Sequence, residues 1–202
     1  RTLQGMKSQR SNSRNEALLA ASAELFASQG FKTTSMRDIA KAVGMLPGSI
    51  YYHIASKDDL LLAIYGAGVE QITATFEAAV APLNDPWERL EAGMSALVRA
   101  VTEESAYTRV IFKVMPDDVS KYRDELVTFR DEFESRFVAL VDDLPLEPWV
   151  DRHLLRLMIL GAGNHAQLWY SPGGKYSAED VGKEFCRYLR ENVSRQDRLL
   201  TG

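Results

Sequence analysis

Between Leu46 and Lys57 the chain reads Leu-Pro-Gly-Ser-Ile-Tyr-Tyr-His-Ile-Ala-Ser-Lys. Tyr51, Tyr52 and His53 contribute two phenol hydroxyls and an imidazole, and Lys57 adds a cation. Such groups grip phosphate oxygens and position a protein on a nucleic acid without reading its bases. Pro47, Gly48 and Ser49 are small and let backbone approach a surface closely. Ile50 and Ile54 stand one helical turn apart and should face inward. Proline fits the first position of a helix, where its missing N–H costs nothing. The spacing therefore predicts a short helix from Pro47 to about Ile54, with its polar face free for a polyanion.

A second helix must hold that one in place. Met36, Ile39, Ala40 and Val43 recur at i, i+3, i+4 and i+7, which is a single apolar helical face. Ser35 and Asp38 have capping-box spacing, and Gly44 suits the left-handed position that ends a helix. Two helices joined by a short turn with glycine form a helix-turn-helix, whose second helix enters the major groove. Thr34, Ser35 and Arg37 stand at the start of the first of these helices and join the candidate DNA contacts. The full candidate set adds Leu46, Pro47, Gly48, Ser49, Tyr51, Tyr52, His53 and Lys57. Ser56 is placed to cap the next helix, so that Lys57 beside a helix N-terminus makes a phosphate site.

The stretch from Leu18 to Leu61 resembles the DNA-binding domain of the TetR family of bacterial transcriptional regulators. The resemblance rests on Phe26, Gly30-Phe31, Thr33-Thr34, Asp38-Ile39-Ala40, Gly44, Gly48, Tyr51, His53, Ser56-Lys57 and Leu60. It implies a repressor fold of about nine helices, a homodimer, a palindromic double-stranded operator and a small-molecule effector. Two positions depart from the pattern. Ile54 replaces a usual Phe conservatively. Leu46 replaces a usual Ser or Thr and cannot cap the helix that follows, a loss of about 1 kcal/mol.

The remainder shows no sustained period-2 alternation, so the fold class is all-α. The expected divisions are a disordered tail at 1–12, a three-helix DNA-binding domain at 13–59, and an effector-binding and dimerisation domain at 60–202. Met6 is a candidate start residue. A first helix is expected from a Ser13 cap to Gln29, and a long one from Ser56 to about Val80. Further helices are expected at 86–104, 106–114, 121–143 and 149–170, with a last one running from a Ser177 cap to 192. Tyr122, Leu126, Phe129, Phe133, Phe137 and Leu140 line one face of the helix expected at 121–143. That aromatic stripe reads as core or as the wall of an effector pocket. Gly161, Gly163, Asn164 and His165 are unusual in mid-helix, where each glycine costs about 1 kcal/mol. They read equally as a tight dimer contact or as pocket. The candidate ligand contacts are Phe112, Phe129, Phe133, Phe137, Asn164, His165 and Trp169. The run Gln167 to Gly174 resembles TetR members that govern fatty-acid, steroid or aromatic-acid breakdown, several of which sense acyl-CoA thioesters. Ser171 stands where many of them have Arg. The effector is expected to be mainly apolar with a polar or acidic end.

Charge and motif content bound the alternatives. The net charge is −4, yet residues 1–60 carry eight Lys or Arg against five Asp or Glu. A mildly basic head on an acidic body suits a DNA reader with a separate sensor. No apolar run is long enough to span a membrane, and no secretory apolar segment is seen. With a single cysteine, Cys186, a cytoplasmic protein is expected. His53, His153 and His165 have no zinc spacing. No GxSxG, Walker A or GxGxxG motif occurs, so no catalytic residue, metal or cofactor is assigned. An enzyme and a helical adaptor without DNA binding are the competing classes.

Overall fold

The computed structural model describes residues 3–102 and 105–193, with side chains from Asn15 onward. Among the described residues there are nine α-helices and two 3-10 turns. The helices are α1 (Leu3–Gln29), α2 (Met36–Ala42), α3 (Pro47–Ile50), α4 (Lys57–Val80), α5 (Pro86–Thr102), α6 (Ala106–Lys113), α7 (Arg123–Asp142), α8 (Arg152–Trp169) and α9 (Ala178–Val193). The 3-10 turns, Pro116–Asp118 and Ser120–Tyr122, join α6 to α7.

Several ends differ from the sequence expectation. Helix α1 begins at Leu3 rather than at Ser13. The expected tail at 1–12 is thus helical from residue 3, and residues 1 and 2 lie outside the described residues. Extending an existing helix adds one hydrogen bond per residue fixed, and Leu, Gln, Met, Lys and Arg are all good helix formers. Helix α3 closes at Ile50 rather than Ile54. Beyond it the backbone tightens into i→i+3 bonds, from Tyr52 to Ser49 (3.2 Å) and from His53 to Ile50 (2.9 Å). Helix α8 starts at Arg152 rather than Trp149, because Asp151 caps it by accepting the Leu154 N–H at 3.0 Å. Of the expected end of α5, residues 103 and 104 lie outside the described residues.

The chain packs as two compact units that do not follow chain order. The first combines Arg1–Glu70 with Glu104–Phe129, and the second combines Gln71–Glu103 with Arg130–Gly202. Helix α6 and the start of α7 thus pack in the same unit as the helix-turn-helix. Helices α4 and α7 each contribute residues to both units.

In the first unit α1 meets α6, and Phe26 meets Phe31 edge-on at 5.2 Å. Gly30 ends α1 with φ +95, a left-handed conformation that glycine adopts without strain. A Cβ at Gly68 would lie 2.7 Å from the Ile111 side chain, so α4 and α6 need glycine at their crossing. In the second unit α5 is the central helix. Leu90, Met94, Leu97 and Val98 are all essentially buried, against α8 and α9. Two glycines allow that contact. A Cβ at Gly163 would overlap Leu97, and one at Gly182 would overlap Ser95 and sit 2.9 Å from its backbone nitrogen. Gly163 is thus explained by packing within the chain, and neither a dimer contact nor a pocket is needed for it. A Cβ at Gly161 would meet nothing within 4 Å among the described residues.

Candidate nucleic-acid interface

The head is built on local capping. Ser35 Oγ accepts the Asp38 N–H at 3.2 Å, and Asp38 accepts the Ser35 N–H at 2.9 Å and its hydroxyl at 2.6 Å. These bonds to Ser35 hold the Asp38 carboxyl below the usual carboxylate range. Thr34 is 1% exposed, and its hydroxyl donates to the Gly30 carbonyl at 2.8 Å. It pins the α1–α2 turn, with its hydroxyl engaged inside the chain. Arg37 is exposed and has no partner among the described residues.

Helix α3 is anchored by Ile50, which is fully buried, while its other side chains stay out. Leu46 is 76% exposed, Tyr51 56% and Tyr52 94%. Pro47, Gly48 and Ser49 are exposed too, and a Cβ at Gly48 would meet nothing within 4 Å. Nothing among the described residues demands glycine there. Leu46 occupies the N-cap without a side-chain cap bond, as its type requires. An open depression is lined by Val43, Met45, Leu46, Ser49, Tyr52 and His53 among others. His53 is half-buried, with Nδ1 3.1 Å from Asn15 Oδ1, which ties the end of the reading element to α1.

Lys57 differs from its sequence assignment. Its ammonium donates to the carbonyls of Phe31 (2.7 Å), Thr34 (3.0 Å) and Lys32 (3.3 Å). It also lies 4.5 Å from the Phe31 ring centroid. An ammonium has three protons, and here all three are engaged. Lys57 is a clasp on the turn after α1, with its ammonium engaged inside the chain.

Sequence spacing missed a second set of positioning residues. Asp59, in the first turn of α4, accepts from Lys121 at 2.7 Å and from the Tyr122 hydroxyl. These two bonds pull its carboxyl far below the usual range. Lys32 pairs with Asp118 at 2.7 Å, Arg109 with Glu24 at 2.8 Å, and Lys113 donates to the Ala27 carbonyl at 2.7 Å. Helix α6 is thereby strapped to α1, and the segment between α6 and α7 to the turn after α1 and to α4. The partners lie 62 to 86 residues apart, and no local pattern signals them.

The candidate ligand residues are divided between the two units. In the first unit Phe129 stacks on Tyr65 at 6.2 Å, and Phe112 is half-buried on α6. In the second unit Phe76 lies 5.8 Å from Phe133 and 5.3 Å from Phe137. Phe137 is fully buried and belongs to the core, and Phe133 is half-buried. Asn164 is half-buried, while His165 and Trp169 are exposed. Leu154, Leu157, Met158, Gly161, Ala162, His165, Leu168 and Trp169 are all exposed on α8 and recur at helical spacing. They form a long, largely apolar stripe.

Comparison with known families decides the relationship. The model of a tetracyclin repressor-like C-terminal domain matches residues 83–193, more than half of the chain, and the model of bacterial regulatory proteins of the tetR family matches residues 18–64. The chain belongs to the TetR family. It is similar to the transcriptional repressor KstR2 of Mycobacterium tuberculosis, with 26% identity over 92% of this chain and 95% of that protein. KstR2 of Rhodococcus jostii is 29% identical over 90% and 91% of the two chains. The solved structure of the ketosteroid transcriptional regulator KstR2 of Mycobacterium tuberculosis superposes with a TM-score of 0.74 at 25% identity, covering 92% and 97%. AibR, solved with isovaleryl coenzyme A and operator DNA, shares the fold with a TM-score of 0.74 at 24% identity, covering 87% and 97%. As a TetR-type repressor the protein is a DNA-binding transcription regulator and not an enzyme. Among the described residues no helix is long and apolar enough to cross a membrane.

Proposed function

We propose that this TetR-type repressor acts in the cytoplasm as a homodimer on a palindromic operator and is released by a small, mainly apolar effector. The observation that carries the reading is the head itself. Buried Ile50 fixes α3, while Leu46, Ser49, Tyr51 and Tyr52 stay exposed on it. Arg37, Pro47 and Gly48 complete the contact surface. Ser35 and His53 offer groups already engaged within the chain, and act chiefly by placing their neighbours.

The α8 stripe supports pairing with a second copy, since a two-fold interface uses the same patch on both partners. His165 and Trp169 are assigned to that face rather than to the effector. Two heads so paired meet successive major-groove faces about 34–36 Å apart. The effector is assigned to the second unit, with half-buried Phe133 on α7 as a wall and half-buried Asn164 on α8 as a directing polar group. Phe137 acts as the core behind Phe133. The ketosteroid regulator among the relatives favours a steroid- or lipid-derived acid, free or as a coenzyme A thioester. An effector shifts the DNA equilibrium only by its differential affinity for the two states. Helices α4 and α7 serve as its levers, because each has residues in both compact units.

The test has two arms. Fluorescence anisotropy measures binding to DNA upstream of the gene and to random DNA, across salt. Light scattering measures assembly, for the native chain and for Leu157→Glu with Leu168→Glu. The reading requires specific, salt-dependent binding by a dimer, and loss of both in the double variant. Equal affinity for all DNA, or specific binding by a monomer, would overturn it. Steroid-acid and acyl coenzyme A panels then identify the compound that weakens operator binding.

A further inference from the structure

The leading edge of the reading helix carries no hydrogen-bonding side chain. Leu46, Pro47 and Gly48 follow one another, all exposed, before the first hydroxyl at Ser49. Leu46 does no work for the fold. It makes no cap bond at the N-terminus of α3 and leaves 76% of its surface in water. A lone exposed leucine needs no explanation on an ordinary surface. Here it occupies the position from which a recognition helix meets base edges. Val43 and Met45, both half-buried, line the same depression as Leu46.

In the major groove the base edges present donors, acceptors and one apolar group, the C5-methyl of thymine. Phosphates and sugars offer leucine nothing comparable. We infer that Leu46 is a specificity-determining residue that reads a C5-methyl group, one thymine in each half-site, and that this protein's operators carry thymine there. The inference rests on the DNA-reading role of α3 proposed above. Gly48 contributes by leaving the space beside Leu46 open to the base. By the same chemistry, 5-methylcytosine at that position satisfies Leu46 as well as thymine does.

The experiment uses the full chain and a duplex selected from random DNA by repeated binding. Each thymine of the selected site is replaced in turn by deoxyuridine, which removes the methyl and nothing else. One buried methyl corresponds to roughly a fourfold change in affinity per half-site. The native protein should lose about that factor at one thymine per half-site. Leu46→Ala should bind the thymine and deoxyuridine duplexes equally, and Leu46→Met should restore the difference. A cytosine placed there should bind more tightly when 5-methylated, in the native protein and in Leu46→Met but not in Leu46→Ala. Because Leu46 is so exposed, both variants should match the native melting temperature, which keeps the comparison free of unfolding. Indifference of the native protein to every deoxyuridine would overturn the inference. So would an unchanged deoxyuridine penalty in Leu46→Ala, or transfer of the effect to a Pro47→Ala variant. If no duplex is enriched at all, it is DNA reading by α3 that fails, and this inference falls with it.

Discussion

Lys57 separates a structural role from a DNA-binding one, and Lys57→Met is the informative change. Methionine keeps an unbranched stem beside the Phe31 ring but removes all three donors. The carbonyls of Phe31, Thr34 and Lys32 then each lose a partner. Hydrogen bonds to charged groups contribute about 1.5–3 kcal/mol each when measured singly. Three on one ammonium are not additive, and the exposed Lys32 carbonyl can bond to water instead. A net loss of about 2–4 kcal/mol follows. For a chain of this size that lowers the melting temperature by about 5–15 °C. Thermal unfolding by circular dichroism, at one fixed protein concentration, measures it. The salt dependence of DNA binding supplies the contrast. A phosphate contact contributes close to 0.9 to the slope of log affinity against log salt, so two subunits would lose about two. With all three ammonium protons engaged inside the chain, the slope of Lys57→Met should equal that of the native protein. An unchanged melting temperature with a slope reduced by about two would refute the clasp and restore Lys57 as a phosphate anchor.

The glycines give a graded series. Gly182→Ala places a methyl against Ser95, its backbone nitrogen and the Glu91 carbonyl, and should destabilise by about 1–3 kcal/mol or more, whereas Gly161→Ala has open space and should stabilise the dissociated chain by up to about 1 kcal/mol; urea unfolding compares them. The Cys186 thiol is pushed up to about 12 by burial, so at pH 8 a thiol reagent should label it only as fast as the protein opens, and labelling at the rate of a free thiol would contradict its burial. The carboxyls of Asp59, Asp118 and Asp180 are held below their usual range, first by the bonds from Lys121, Lys32 and Ser177 respectively. A depressed carboxyl stabilises above its unfolded value and loses that contribution as pH falls towards the folded one. Stability should therefore decline below about pH 4. Asp59→Asn should show a shallower acid limb in thermal unfolding from pH 7 to pH 2.

The sequence by itself determined the helices and their caps, and marked out the candidate reading element. Ser35 with Asp38, Ser177 with Asp180, Gly30 and Gly44 act within four residues of their targets, so residue type and spacing suffice to place them. The inward position of Ile50 and the outward one of Tyr51 and Tyr52 follow from helical period in the same way. Helix limits were less legible where propagation is cheap, as at the start of α1, and where a turn tightens, as after Ile50. What tertiary structure alone decided is what each free-looking group is doing. Thr34 and Lys57 have the right chemistry for phosphate, yet carbonyls brought in by the chain reversal after α1 engage them first. Gly163 is explained by Leu97 on α5, and Asp59 by Lys121 and Tyr122, each more than 60 residues away in the chain. His165 and Trp169 lie on an exposed stripe because α5 lies against the other side of α8. A hydrogen-bonding group binds whatever acceptor packing brings within about 3 Å, and that depends on contacts between segments remote in the chain, which no local spacing records.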